Sequence, residues 1–437
     1  MSGPAIGALV IAGMLALMVV RVPIAISMFV AGIGGYITIS GLVPLLGYLK
    51  TSPYYQMSSY SLSVVPLFLL MGHLATHSGT SRALFNAANA VFGSLRGGLS
   101  IAAIGGCAMF GAICGSSLAT AATMGQVALP EMKRHNYSDA LATGTLAAGG
   151  TLGILIPPSV ILVIYAILTE QNVAKMFLAA FVPGMLAAIG YMLAITVYVR
   201  INPEAGPAGK KLSRAEKRAA LTGSAPAAGI FVIVIGGIYS GVFTPTEAAA
   251  FGVLGIGIIA VVNGMRWQGF KEAVTGTAMS AGMIYMILLG ADIFNAFLTQ
   301  TQLPQTLASI VAASAFPPTA ILIMILLLYL ALGCVMDALS MILLTIPIFF
   351  PVIGALDFGM SEEHTAIWFG IIILIVVEVG LITPPVGMNV FVINKLAGDV
   401  PISQTFRGIL PFLVSDVIRV VLLVAFPVLT LFLLDLF

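Results

Sequence analysis

The sequence predicts an all-α polytopic membrane protein made of two inverted-topology repeats, each with five crossings and one re-entrant helical hairpin. Three observations predict it: an apolar composition, a repeated set of helix-breaking motifs, and a one-sided distribution of basic residues. Charged residues are 8 % of the chain and apolar residues 60 %, against roughly 25 % and about 45–50 % in a soluble domain. Long apolar stretches recur at 5–20, 24–47, 177–199, 225–243, 319–335 and 365–382. About 20 such residues span a bilayer as a helix, and no soluble core buries this many. The net charge of +2 gives no sign of nucleic-acid binding. Cys107, Cys114 and Cys334 all lie in apolar stretches and read as packing residues, without a disulfide or metal site. No basic segment precedes the first apolar run, so a cleavable signal peptide is not expected.

The repeat is read from motifs in register. GILIPPS at 153–159 matches GLITPPV at 380–386, and the polar spot GSSLAT at 115–120 matches MDALS at 336–340. Pro130 follows Ser116, and Pro351 follows Asp337, by the same interval. Upstream, Pro23 corresponds to Pro245 and Gly72 to Gly290. Duplicated halves of this size mark secondary transporters. They give a first repeat at 1–199, with hairpin 98–133 and broken helix 138–169, and a second at 223–437, with hairpin 318–354 and broken helix 365–395. The hydrophilic stretch 200–222 reads as a cytoplasmic linker with one amphipathic turn.

Crossings are expected near 5–20, 23–45, 62–80, 138–169 and 177–199, then near 224–243, 246–264, 275–298, 365–395 and 411–434. Five crossings per half invert the second half relative to the first. Of the 18 Lys and Arg, one set of loops then holds Arg21, Arg82, Arg96, Lys133, Arg134, Arg200, Lys210, Lys211, Arg214, Lys217, Arg218, Arg266, Lys271, Lys395 and Arg407. The opposite set holds Lys50 and Lys175, and Arg419 falls inside the last span. Basic residues collect on the cytoplasmic side, so both termini are expected to be periplasmic. Full crossings in place of the hairpins would leave the loop sides unchanged, so the charge count supports inversion rather than re-entrance.

The chemistry is expected where the helices break. Proline removes a backbone donor and disfavours helix in the residue before it. The pairs Pro157-Pro158 and Pro384-Pro385, beside Gly150 and Gly153 or Gly380 and Gly387, should interrupt helices deep in apolar surroundings. Freed carbonyls there need a partner, and unwound carbonyls coordinate Na⁺ in transporters with discontinuous helices; a simple proline kink is the alternative. The tip Gly115, Ser116 and Ser117 offers carbonyls and hydroxyls, and a helix N-terminus suited to a carboxylate. Asp337 is an intramembrane acid and so a functional candidate, with a helix-cap role compatible. Glu378 divides between a packing contact and indirect support of the second break. Glu247 reads as a first-turn acid, Asp292 and His73 as helix–helix contacts, His135 as solvated, and Tyr54, Tyr55 and Tyr60 as an interfacial belt.

GAICGSSLATAATMGQVALPEM (111–132), GGTLGILIPPSVILVIYA (149–166), FTPTEAAAFG (243–252), DALSMILLTIPIFFPVI (337–353) and GLITPPVGMNVFVI (380–393) together resemble the large membrane (M) subunit of tripartite ATP-independent periplasmic (TRAP) transporters, of the DctM and SiaM kind, over essentially the whole chain. The chain is similar, more distantly, to the divalent anion–sodium symporters of the ion transporter superfamily. Their tips read Ser-Asn-Thr, where this chain has Ser116-Ser117-Leu118 and Asp337-Ala338-Leu339, which shifts ligation toward backbone carbonyls. The resemblance implies a sodium-coupled importer of a small organic acid in the bacterial inner membrane, moving as an elevator. It implies a small four-helix Q subunit as a separate chain, a periplasmic substrate-binding P protein, and no cofactor beyond Na⁺. By position it implies one sodium site at Gly115, Ser116, Ser117, Gly153 and Ile156, and another at Asp337, Ala338, Thr383 and Gly387. Substrate is then expected near Ser117, Thr120, Pro158, Ser159, Asp337, Pro385 and Asn389. C4-dicarboxylates, sialic acid and keto acids are the cargo it suggests.

A stand-alone sodium–anion symporter is the nearest alternative. An intramembrane enzyme would need a motif such as His-Glu-x-x-His, which the sequence lacks. A channel usually draws its ring of charges or carbonyls from a symmetric oligomer, whereas two inverted halves in one chain favour alternating access.

Overall fold

The computed structural model describes residues 2–209, 211–314 and 316–436. Met1, Lys210, Ala315 and Phe437 lie outside the described residues, and with them one of the basic loop positions and the two chain ends. Every regular element among the described residues is helical.

Seven helices are long and apolar enough to cross a bilayer, or eight when the bent pair Asp139–Leu155 and Val160–Leu168 counts as one span. Gly3–Val19 and Ile24–Ser40 have 17 residues each. At 1.5 Å per residue that is roughly 25 Å, the lower end of a spanning length. With them, a helix stands at each of the ten expected crossings. Both hairpins are also present, as Gly98–Cys114 with Ser117–Arg134, and Pro318–Gly333 with Ala338–Gly354. Three further helices were not foreseen: Leu42–Met57, Thr80–Phe92 and Leu303–Ala312. The hydrophilic stretch contributes two turns of a long helix, where a single turn was expected. Arg214–Tyr239 starts there because Ser213 and Glu216 close a capping box on its first backbone N–H groups.

Helices matched by the sequence repeat make matched contacts across the chain. Ile24–Ser40 packs on Trp267–Thr301, as Pro245–Val262 packs on Val64–His77. Asp139–Leu155 packs on Ile402–Ala425, as Glu362–Gly380 packs on Val173–Ile201. Ser117–Arg134 meets Met388–Ala397, as Ala338–Gly354 meets Val160–Leu168. Each contact has a counterpart with the roles of the two halves exchanged, the pattern made by a two-fold relation between them.

Burial separates the helices by task. Arg214–Tyr239 and Pro245–Val262 leave Val232, Ile233, Leu254 and Ile258 exposed, as suits a face turned to lipid. Asp139–Leu155 and Glu362–Gly380 are almost wholly enclosed. The tightest packing around them uses small residues, which let transmembrane backbones approach closely. Gly144 and Gly408 meet backbone to backbone, and a Cβ on either would overlap the facing main chain. Asp292 accepts hydrogen bonds from Tyr48 Oη at 2.8 Å and from Ser52. That tethers Leu42–Met57, with its exposed Tyr54 and Tyr55, to Trp267–Thr301.

Gly144→Val should therefore destabilise the chain by about 1–3 kcal/mol through overpacking. The check is the thermal unfolding midpoint in detergent, and an unchanged midpoint would mean that Asp139–Leu155 and Ile402–Ala425 do not meet at Gly144.

Candidate functional site

The first hairpin turns at Gly115, whose φ of +64° is the left-handed conformation glycine favours. Ser116 caps the returning arm, its hydroxyl accepting from the Ala119 N–H at 3.4 Å. The tip sits against the first broken helix. Asp139–Leu155 and Val160–Leu168 meet at 44°, and the break between them, 156–159, is buried throughout. Gly111 of the hairpin touches Gly153 main chain to main chain: a Cβ on Gly111 would lie 2.5 Å from the Gly153 Cα. A Cβ on Gly153 would lie 2.7 Å from the Ser116 carbonyl oxygen, and would overlap Thr120 Oγ1. Gly115 faces the Pro158 carbonyl and Ser159. Gly115, Ser116, Thr120, Gly153, Pro158 and Ser159 are thus brought together. The Ile156 side chain packs toward Gly184.

Asn389 joins this group from the other half of the chain. Its Nδ2 donates to Ser117 Oγ at 2.8 Å and to the Ala147 carbonyl at 3.3 Å. Asn389 stands in the first turn of Met388–Ala397 and reaches this space because the loop 381–387 folds back: its N–H donates to the Leu381 carbonyl at 3.1 Å. Three buried oxygens here, Thr120 Oγ1, Ser159 Oγ and Asn389 Oδ1, have no protein partner. Buried acceptors are costly to leave unpaired. Hard oxygens of hydroxyl, amide and carbonyl type suit a hard cation or a hydrogen-bonding substrate.

The second hairpin repeats the construction with a different tip. Gly333 touches Gly380, and a Cβ on Gly380 would lie 2.6 Å from the Gly333 Cα. Asp337 caps Ala338–Gly354, accepting from the Ser340 N–H at 3.0 Å and from the Ser340 hydroxyl. Its cap role is thus realised. Thr383 Oγ1 donates to the Val379 carbonyl at 2.6 Å, and Gly387 turns the loop at φ +63°. Pro384 and Pro385 are exposed, so this break is open where the first is sealed. Among the described residues no hydrogen bond joins Asp337, Ala338, Thr383 or Pro385 to the Ser117–Asn389 group. The residues expected around substrate therefore fall into one buried cluster and one open tip.

Sequence reasoning missed a buried polar network behind the cluster. Arg419 Nη2 donates to Asp416 Oδ1 at 2.7 Å, Tyr191 Oη donates to Asp416 Oδ2 at 2.8 Å, and Thr151 Oγ1 lies 3.1 Å from Tyr191 Oη. The Arg419 guanidinium stands 6.0 Å from the Tyr191 ring centroid. The available signal was an Asp–Arg pair three residues apart inside an apolar helix, a spacing that puts both on one face. Glu378, fully buried, has no hydrogen-bond partner for either carboxylate oxygen.

Residues 11–429 match the family described as "Tripartite ATP-independent periplasmic transporter, DctM component". The chain is 37 % identical to the C4-dicarboxylate TRAP transporter large permease protein DctM of Pseudomonas aeruginosa, over 85 % of this chain and 86 % of that one. It is 34 % identical to the sialic acid TRAP transporter large permease protein SiaM of Vibrio cholerae, over 87 % and 88 %. Among solved structures it resembles the YdaH transporter of Alcanivorax borkumensis, described as having an unusual topology. That match has a TM-score of 0.63 and 15 % identity, over 88 % of this chain and 89 % of that one, a likeness of fold alone.

Gly153→Ala should unseat the first hairpin tip by driving a methyl group into the Ser116 carbonyl. The expected result is faster maleimide labelling of Cys114, which is buried beside the tip, followed by mass spectrometry. Unchanged labelling would mean that the tip does not rest on Gly153.

Proposed function

The chain belongs to the DctM family of TRAP transporters, and from that premise we propose that it imports a small organic acid by sodium symport. It is an integral membrane permease and not an enzyme, as its relatives are. The finer reading is that it works in a bacterial inner membrane with both termini periplasmic. A small four-helix Q subunit accompanies it, and a periplasmic P protein delivers substrate. The proposed halves are 1–199 and 223–437, joined by the cytoplasmic stretch 200–222.

The observation that carries the reading is the cluster of buried Ser117, Thr120, Gly153 and Asn389 with half-buried Ser116. Its unpaired oxygens lie between a hairpin tip and a broken helix, without a lysine or arginine among them. An anionic substrate bound there needs its charge balanced by something other than a basic side chain. Helix N-termini supply part of that balance, and bound sodium supplies the rest. One sodium site is assigned to Gly115, Ser116, Ser117, Gly153 and Ile156, and the second to Asp337, Ala338, Thr383 and Gly387. Substrate is placed along Ser117, Thr120, Pro158, Ser159 and Asn389, with Asp337 and Pro385 at the open end. The relatives named for C4-dicarboxylates and sialic acid support a carboxylate as cargo.

Elevator motion is proposed for the hairpins and broken helices. Ile24–Ser40, Val64–His77, Pro245–Val262 and Trp267–Thr301 pack on one another and provide a frame for them to move against.

Asp337→Ala should lower sodium-dependent uptake at least about tenfold while the chain still inserts; each tenfold is about 1.4 kcal/mol of lost stabilisation. Normal uptake would remove Asp337 from the site. Proteoliposomes holding the chain and its Q partner should take up nothing without P. Robust uptake by the pair alone would replace this reading with a stand-alone symporter.

A further inference from the structure

The last turns of Val173–Ile201 border two neighbouring hollows. One is a cleft of about 320 Å³ lined by Leu95, Arg96, Ile101, Thr196, Val199 and Arg200. The other is a groove of about 580 Å³ between this helix and Ile402–Ala425, lined at the same end by Val197, Tyr198 and Ile201. The cleft has two guanidinium groups and no acid in its wall. Both arginines are exposed, and neither joins an ion pair among the described residues. The turn that carries Arg96 is braced. Gly97 N–H donates to the Gly206 carbonyl at 2.9 Å, and Gly209 N–H donates to the Gly93 carbonyl at 3.0 Å. A Cβ on Gly97 would lie 3.0 Å from Ile195 Cγ2 and from Val199 Cγ1, so the turn rests on the helix that carries Arg200.

The groove is apolar along its length, and Leu193, Val197, Val414 and Ile418 are largely exposed in it. Lys175 pairs with Glu363, and His364 lies 3.7 Å from Asp435. The start of one wall and the chain that follows the other therefore share an edge, and the walls run antiparallel. They meet where a Cβ on Gly190 would lie 2.5 Å from Ser415 Oγ. Arg200 stands about 15 Å along its helix from that contact, and Arg407 about 12 Å along the other helix in the same direction. Both thus stand at one mouth. The lined stretch 186–201 is roughly 22 Å long, enough to take a chain through one leaflet's ~15 Å of hydrocarbon.

We propose that the cleft and groove form a binding site for one anionic phospholipid. Its phosphate lies between Arg96 and Arg200, with Arg407 at the rim, and one acyl chain lies in the groove. Guanidinium groups hold phosphate oxygens by charge-assisted, paired hydrogen bonds, and basic pockets beside transmembrane helices hold such headgroups. Charge selects this occupant over a partner's helix, which would cover the apolar walls and leave the arginines without an anion. The site requires that the chain spans a membrane. It depends neither on which face is cytoplasmic nor on the sodium sites.

The test is native mass spectrometry of the delipidated full-length chain, titrated with dioleoyl phosphatidylglycerol or dioleoyl phosphatidylcholine. The first phosphatidylglycerol should bind about 25-fold more tightly than phosphatidylcholine, roughly fivefold for each of the two arginines. Arg200→Gln should keep a preference of about fivefold, and Arg96→Gln with Arg200→Gln should abolish it. Leu193→Trp, which fills the groove, should weaken both lipids by a similar factor. Equal binding of the two lipids by the wild type would overturn the inference, as would a wild-type preference in Arg200→Gln or unchanged affinities in Leu193→Trp. Inorganic phosphate should not compete; competition by it would give the arginines to a free anion instead. Displacement of phosphatidylglycerol by the small membrane subunit would give the groove to a partner's helix and equally overturn it.

Discussion

A helix broken in apolar surroundings leaves carbonyl groups that lipid cannot satisfy, and the architecture depends on how two such breaks are enclosed. In each half a hairpin is laid against the break through a pair of glycines, Gly111 on Gly153 and Gly333 on Gly380. Main chain meets main chain, so no side chain holds the tip away from the unwound segment. A methyl group at either contact would separate them. The polar atoms of tip and break then face one another, and whatever binds there completes the accounting of backbone and hydroxyl groups that lipid cannot provide.

The two halves use this construction unequally. The first tip, with two serines, is sealed and receives Asn389 from the opposite half. The second, with Asp337 spent partly on its own helix cap, lies beside an exposed Pro384-Pro385 pair. The sealed side is backed by Asp416, Arg419 and Tyr191. This network ties Val173–Ile201 and Ile402–Ala425 to Asp139–Leu155 through Thr151. A buried ion pair of this kind is weak evidence of net stability, because desolvation offsets much of its attraction. Its evident effect is to fix three helices in one register around the first break.

Much of this was legible in the sequence because proline and glycine act locally. The paired Pro-Pro motifs, the glycines beside them and the tips at 115–117 and 337–340 mark breaks and turns whatever surrounds them. The helices at the ten expected crossings followed from apolar run length, and their matched contacts from motifs in register. What could not be read was contact over long separation. Nothing near Asn389 says that its amide ends on Ser117, and nothing near Glu378 says which half it faces. The short helices Thr80–Phe92 and Leu303–Ala312 escaped for another reason: they are too short and too mixed in polarity to stand out as crossings. Arg419 falls inside the last span, and a charge there has meaning only once its partners are known. The sequence admits Asp337 as both cap and ligand; the cap is built, and ligation belongs to the proposed function.

The claim that cations sit where hairpin tips meet broken helices is tested most directly by comparing density maps of the chain in nanodiscs, one in sodium and one in potassium. Discrete density is expected in sodium beside the Ser116 carbonyl and Gly153, and again beside Asp337 and Thr383, with both features missing in potassium. Sodium-dependent density elsewhere, with these two junctions unchanged between the maps, would contradict it.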